Sequence, residues 1–381
     1  MNDPLRFEDF RSGTLKQQFR YRSFSPTPVN RQWSWEDPAI NTLLEKATRS
    51  LAGLDAFSNI VPDIGMYIEM HVIKEASTSS RIEGTRTGMD EALMPEEDIL
   101  PERRNDWKEV RNYVSAMNQS IEQLRTLPLS NRLIRRAHEV LLQSVRGEYK
   151  TPGEFRRSQN WIGGTSLEDA VFIPPDHTEV PELMSDLERF WHNEEIEVPH
   201  LIRIAISHYQ FETVHPFLDG NGRIGRLLIP LYLIGHGLLA TPSLYLSAYL
   251  EQNRGAYYDA LTTVRASHDL GHWIKFFLKA IHETSIKGQK TFQAILALRT
   301  EVEQPLLSLG SRAKNGAALL NRLYRNPLIS VNEAAELLGV THQTANVLIG
   351  DFERLGILEE QTGYRRNRQF FFSRYYQLFL V

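Results

Sequence analysis

The stretch His215-Pro216-Phe217-Leu218-Asp219-Gly220-Asn221-Gly222-Arg223-Ile224-Gly225-Arg226 joins two apolar runs, Ile202 to Val214 before it and the residues after Gly222 behind it. Its spacing makes it a phosphate site on physical grounds. Gly220 and Gly222 allow backbone conformations in which successive N–H groups converge on one point. That nest opens into a helix N-terminus, whose dipole and free N–H groups favour an anion. Arg223 and Arg226 stand three apart in the first turn and can fork onto phosphate oxygens. Asp219 supplies the hard oxygen ligand that Mg²⁺ takes beside a nucleotide. His215, just ahead of the loop, is placed to take a proton from an incoming hydroxyl, with a near-neutral pKa expected. A Gly-Asn-Gly turn alone is only a connection. Base, metal ligand, nest and two cations in uninterrupted order are more than that.

Outward from this loop the chain reads as helices. Asp37-Pro38 gives an N-cap and a first-turn proline; Ile40, Leu43, Leu44, Ala47 and Leu51 follow at helical spacing, and Gly53 is expected to stop the run. A second helix is expected from about Asp63 to Glu83, with Gly84 as left-handed C-cap. Trp107, Val110, Tyr113, Val114, Met117, Ile121 and Leu124 mark an amphipathic third, and Ser130 caps a fourth. Helices resume over Val180 to Phe190, and a long one is expected from about Asp269 to Leu307. Between them, Gly163-Gly164 and Pro174-Pro175 bracket Trp161-Ile162 and Val171-Phe172-Ile173, which read as a β-hairpin, the only strand pair expected before the C-terminus. Residues 1–36 read as an irregular, extended arm that packs Phe24, Trp33 and Trp35 onto the body. The chain is therefore mainly α: an N-terminal helical region (1–100), a core (101–300) and a separate C-terminal unit (310–381).

A length of 381 residues fits two or three domains. With 43 Lys+Arg against 47 Asp+Glu, a net charge of −4 argues against bulk attraction to nucleic acid or anionic lipid. The absence of cysteine excludes disulfides, thiolate metal sites and cysteine nucleophiles, and fits a reducing, cytoplasmic setting. Met1 to Arg6 carries no secretory signal, and Ile224 to Ala240, interrupted by Arg226, Pro230 and His236, reads as a core helix rather than a membrane span.

The loop resembles, at every defined position, the signature of the Fic family, His-Pro-Phe-x-Asp/Glu-Gly-Asn-Gly-Arg-x-x-Arg. The resemblance extends from about residue 20 to 300, through the Ser207-His208-Tyr209-Gln210-Phe211-Glu212 run and the hairpin around Gly163–Pro175. It implies the Fic helical fold with a hairpin flap, and transfer of AMP from ATP to a Ser, Thr or Tyr hydroxyl of a target protein, with Mg²⁺ (or Mn²⁺). By position it makes His215 the general base and Asp219 the metal ligand. Gly220, Asn221 and Gly222 cradle the phosphates, Ile224 and Gly225 belong to the same ATP-binding segment, Arg226 meets the γ-phosphate and Arg223 assists. Phe172 and Ile173 on the flap would hold the target by β-augmentation, plain packing being the alternative. Asn253, Tyr257 and Tyr258 are candidates for the adenine pocket, or else ordinary helix-surface and core residues. Self-modification and a homodimer are expected alongside.

Ser79-Ser80-Arg81-Ile82-Glu83-Gly84 matches the family's inhibitory pattern, Ser/Thr-x-x-x-Glu-Gly/Asn. A carboxylate in the last turn of a helix opposes the dipole, so Glu83 is an odd choice for stability alone. The resemblance implies that Glu83 pairs with Arg226 in place of the γ-phosphate, with Ser79 in the same motif. The same glutamate could instead position a water for AMP removal, making the enzyme bifunctional.

At the C-terminus Ser330 caps Val331 to Leu338, Gly339 turns, Thr341 to Phe352 forms a second helix, and Gln369 to Phe372 reads as a strand behind Arg365, Arg366 and Arg368. This resembles a winged helix-turn-helix, which would bind DNA or another protein surface. Two classes compete: a protein-modifying enzyme with this unit as accessory, and a DNA-binding regulator whose Fic module senses nucleotide.

Overall fold

The computed structural model describes residues 3–363 and 368–380. The N-terminal arm is more ordered than its sequence suggests. Strand β1 (Leu5–Arg6) pairs in parallel with β4 (Trp33–Ser34), and β2 (Gly13–Gln17) runs antiparallel to β3 (Arg22–Pro26), Gly13 opposite Pro26 and Gln17 opposite Arg22. The expectation of an irregular arm is thereby corrected. Its aromatics do pack inward: Phe7 and Phe10 flank the buried Trp33 at ring distances of 5.7 and 5.1 Å.

Helix α1 (Pro38–Ile60) starts where Asp37 accepts from the Ala39 amide, but it does not stop at Gly53. Gly53 sits inside the helix, and a Cβ there would lie 3.0 Å from Nε2 of Gln289 on the long helix packed alongside. Helix α2 (Ile64–Ile82) ends as expected, with Glu83 as C-cap and Gly84 at φ +98°. Then come α3 (Met89–Leu93), α4 (Arg104–Leu124), α5 (Asn131–Leu141, capped by Ser130) and α6 (Val180–His192). Helices α7 (His200–Val214) and α8 (Asn221–Gly235) are the centre of the body. Every residue of α7 from Leu201 to Val214 is buried, which is why its apolar residues show no one-sided stripe. Next are α9 (Ser247–Gln252), α10 (Arg254–Ser267) and α11 (Leu270–Leu306), the last lying along α1. No helix among the described residues is long and apolar enough to cross a membrane.

The expected hairpin over 161–173 reduces to a single antiparallel bridge between Ile162 and Phe172. Gly163 and Gly164, both at positive φ, turn so tightly that added Cβ atoms would meet Val171 at 2.6 Å and Asp169 at 2.5 Å. Asp169 spends its carboxylate on the Thr165 and Ser166 amides inside that turn. Too few residues remain for a ladder, and Ile173 pairs instead with β3, its carbonyl accepting from Phe24 N–H at 2.9 Å.

The C-terminal unit comprises α12 (Ala313–Arg325), β5 (Leu328–Ser330), α13 (Val331–Leu338), α14 (His342–Arg354), β6 (Glu359–Glu360), β7 (Gln369–Phe371) and α15 (Ser373–Gln377), with antiparallel strand order β5-β7-β6. Ser330 and Glu333 form a capping box, Gly339 takes the left-handed turn and Thr341 caps α14. The last strand ends at Phe371, one residue earlier than expected. Arg365 and Arg366 lie outside the described residues, while Arg368 donates to Asn346 of α14 at 2.7 Å. This unit rests on α2: Tyr324 and Tyr375 pack on Tyr67, Phe379 on His71, and Arg325 pairs with Glu69.

Candidate active site

Gly220 adopts φ +74° and caps α8, and the first amide to bond back is Ile224, to the Gly220 carbonyl. The N–H groups of the first turn are thus left for a ligand. The loop ahead of it is held by its own residues. Asn221 Oδ1 accepts from Phe217 N–H and its Nδ2 donates to Phe217 O, both at 2.8 Å, so the Asn221 side chain is a staple and only its backbone can face a phosphate. Phe217 stacks on His138 at 3.8 Å and 9°. His138 Nδ1 accepts from the Gly153 amide, so its proton is on Nε2, which donates to the Asp219 carbonyl at 3.0 Å.

His215 ends α7 in the left-handed conformation, φ 50°. Its carbonyl accepts from Arg156 Nε at 3.0 Å and from Asn160 Nδ2 at 3.1 Å. Arg156, 2% exposed, also donates to the carbonyls of Val214, Ser158 and Pro175, tying the 161–175 segment to the end of α7. Burial, then the charge of Arg265, pushes the His215 pKa down to about 3, not the near-neutral value expected. The imidazole is therefore neutral, and its Nδ1 has no hydrogen-bond partner among the described residues.

Arg226 is buried and committed: Nε donates to Ser79 Oγ (2.8 Å), Nη2 to Ser79 O (2.9 Å) and to Glu83 Oε1 (2.6 Å). Burial alone would lower the Arg226 pKa and raise that of Glu83; the pairing outweighs it in both, holding Arg226 above and Glu83 below its ordinary value. Arg223 is also paired, with the buried Glu109 at 3.0 Å, and lies 3.6 Å from Asp219. The glycines here have a steric reason. Gly222 is helical, and its expected role in a positive-φ nest is corrected: a Cβ on it would lie 2.2 Å from Glu83 Oε1. A Cβ on Gly225 would lie 2.2 Å from Oε1 of Glu212, a buried carboxyl whose pKa desolvation raises to about 7. Ile224 is a core residue.

Asp219 keeps 37% of its side chain exposed, with Oδ1 accepting from the Gly220 amide at 2.6 Å. No group of three or more His, Asp or Glu is arranged to hold a metal among the described residues. A single part-exposed carboxylate fits Mg²⁺ held mostly through nucleotide phosphates and water.

The three adenine-pocket candidates separate. Tyr257 is a core residue whose hydroxyl bonds His208 Nε2 at 2.9 Å, His208 in turn donating from Nδ1 to the Gly225 carbonyl. Tyr258 is 40% exposed and feels the charges of Glu83 and Arg226, while half-buried Asn253 donates to the Tyr249 carbonyl. On the flap, Phe172 packs between Phe24 and the Arg265 guanidinium, 4.1 Å above its ring. Both backbone groups of Phe172 bond Ile162, and the Ile173 carbonyl is taken by Phe24. Strand addition at Phe172 would have to displace Ile162; the exposed residue is Val171, at 79%. Glu109, His138, Arg156, Asn160 and Arg265 are site residues that the sequence reading missed.

A family profile described as Fic/DOC family N-terminal matches residues 41–122, and that of the Fic/DOC family matches residues 128–233. The chain is 27% identical over 190 residues to the protein adenylyltransferase Fic of Aedes aegypti, covering 49% of this chain and 34% of that protein. It is 30% identical over 166 residues to the same-named protein of Culex quinquefasciatus, covering 43% and 29%. It thus spans about a third or less of the length of these curated relatives. Among solved structures, a Fic family protein from Desulfovibrio desulfuricans G20 matches with TM-score 0.54 and 20% identity over 91% of this chain and 98% of that one. A Fic domain containing signaling protein from Bacteroides thetaiotaomicron matches with TM-score 0.54 and 19% identity over 67% and 97%. At these identities the structural likeness is one of fold.

Proposed function

The chain belongs to the Fic/DOC family, and on that premise we propose that it transfers AMP from ATP to a Ser, Thr or Tyr hydroxyl of a protein, itself included, and that Glu83 restrains the transfer. The observation that carries the proposal is the state of the two ends of one loop. At one end stands a neutral imidazole with an unpartnered Nδ1; at the other, a buried arginine whose carboxylate partner comes from outside the loop.

In the reaction, the triphosphate lies over the free amides at the start of α8. The target hydroxyl oxygen forms a bond to the α-phosphorus, the bond from that phosphorus to the oxygen bridging to the β-phosphate breaks, and pyrophosphate leaves. His215 takes the hydroxyl proton; the approach of a polyanion offsets the cations that depress its pKa. Asp219 is the residue that would hold Mg²⁺, which when bound supplies charge neutralisation for the phosphates. Arg223, fixed by Glu109, and Arg226, once free of Glu83, supply the rest. Arg156 and Asn160 are positioning residues, since they hold the His215 carbonyl and never reach the nucleotide.

A cytoplasmic protein that modifies other proteins fits the cysteine-free composition. For residues 310–381, a winged helix contacting protein is favoured over one reading DNA, because the exposed start of α14, Thr341 to Thr344, holds no Lys or Arg. Incubation with ATP labelled at the α-phosphate tests the proposal. Covalent label on protein that depends on His215 supports it; nucleotide binding without any transfer would leave a nucleotide-sensing role instead.

A further inference from the structure

A second cavity, of about 230 Å³, lies between α2, α9 and α11 and shares no residue with the nucleotide loop. Its walls bring together Lys74 and Thr78 of α2, Ser243 and Tyr245 of the segment before α9, and Lys287 and Thr291 of α11. Three polar atoms in these walls are buried without a hydrogen-bond partner among the described residues: His71 Nε2, Ser243 Oγ and Tyr245 Oη. These three residues are 9%, 4% and 8% exposed. Buried polar groups are nearly always satisfied, so three unsatisfied ones on residues that line one cavity point to something that belongs in it.

The charges indicate what. Burial lowers the Lys74 pKa to about 8, with the nearby Lys287 as the second cause. Among the described residues neither forms an ion pair. The cavity also holds two carboxylates, of which Glu75 is engaged elsewhere and Glu283 sits in a long, half-exposed pair. Glu75 accepts from Ser247 N–H, Ser247 Oγ and Tyr113 Oη, and Glu283 lies 3.7 Å from Lys279. Two lysines outside any ion pair among the described residues and the hydroxyls of Ser243 and Tyr245 can all donate, and such a set matches a doubly charged oxyanion. Ala248, Tyr249, Gln252, Thr284 and Gly288 complete the lining and leave room for a short carbon body.

We propose that this cavity is a second ligand site, taking a small metabolite that carries a doubly charged oxyanion, bound between Lys74 and Lys287. The site does not depend on AMP transfer, although its occupant would touch the helix that carries Glu83. Titration calorimetry on the full chain tests it, with inorganic phosphate, glycerol 3-phosphate and succinate as probes, each with and without saturating ATP. At least one probe should bind one to one, at millimolar concentration or below, and equally well with ATP present. Lys287→Met should weaken binding at least tenfold, and Ser243→Ala several-fold, with thermal unfolding checking that both variants fold. Preference for glycerol 3-phosphate over succinate would identify a phosphate monoester, and the reverse a dicarboxylate. No binding by any probe, binding indifferent to Lys287→Met, or binding abolished by ATP would overturn the assignment.

Discussion

Glu83 Oε1 sits 2.6 Å from Arg226 Nη2 and occupies the space where a Cβ on Gly222 would be, 2.2 Å from that position. Two positions far apart in sequence are thus coupled through one carboxylate: Gly222 is glycine because Glu83 approaches it, and Arg226 is engaged because Glu83 reaches it.

Gly222→Ala should therefore cost about 1–3 kcal/mol of stability by overpacking. In a Glu83→Ala background the cost should shrink, because the clashing atom is gone and Arg226 Nη1, 3.0 Å away, is the end of a flexible chain. A double-mutant cycle from chemical denaturation measures the difference. Equal costs in both backgrounds would mean that Glu83 does not sit over Gly222.

Arg156→Lys should lower kcat at least tenfold while changing KM for ATP less, because one ammonium cannot replace a fork that serves the carbonyls of Val214, His215, Ser158 and Pro175. A stability loss of about 2–3 kcal/mol should accompany it. Steady-state kinetics beside thermal unfolding separates the two effects.

The histidines set a pH dependence. Burial holds His71 and His215 at about 3, and His138, His208 and His236 at about 4, all below the unfolded value of 6.5. The unfolded chain therefore binds more protons than the folded one below pH 6.5, and stability falls as pH drops through that range. Glu212, raised to about 7 from 4.5, acts in the opposite sense between those values and partly offsets the loss. The thermal midpoint should fall between pH 7 and pH 5, and fall more steeply in Glu212→Gln.

Much of this was legible in the sequence because the chemistry of the loop is contiguous: His215, Asp219 and Arg226 need no long-range contact to be noticed. Glu109, His138 and Arg156 are different. Each stands alone in its own segment, and only the packing of α4, α5 and the 150–160 stretch around the loop gives it a partner. Tyr257 and Tyr258 could not be told apart, since adjacent positions on a helix differ by about 100° and the core side is fixed by α7. The β2–β3 pair escaped notice because β2 is mostly exposed and mixed in polarity, so alternation gives no signal. Gly53 reads as a helix end, yet the apolar stripe runs on past it to Leu54 against the same helix α11.

The measurement that bears most directly on the role of Glu83 is the rate of AMP transfer from labelled ATP by wild type, Glu83→Gly, Glu83→Gln and Glu83→Gly/His215→Ala at saturating ATP. About a third of the Glu83 side chain is exposed, so solvent screening reduces the pair from a fully buried one to about 1–3 kcal/mol. Glu83→Gly should accordingly transfer roughly 10- to 100-fold faster, Glu83→Gln less so because the amide still fills the space, and the double variant not at all. Transfer by Glu83→Gly at the wild-type rate, or persistent transfer without His215, would contradict the roles given to these two residues.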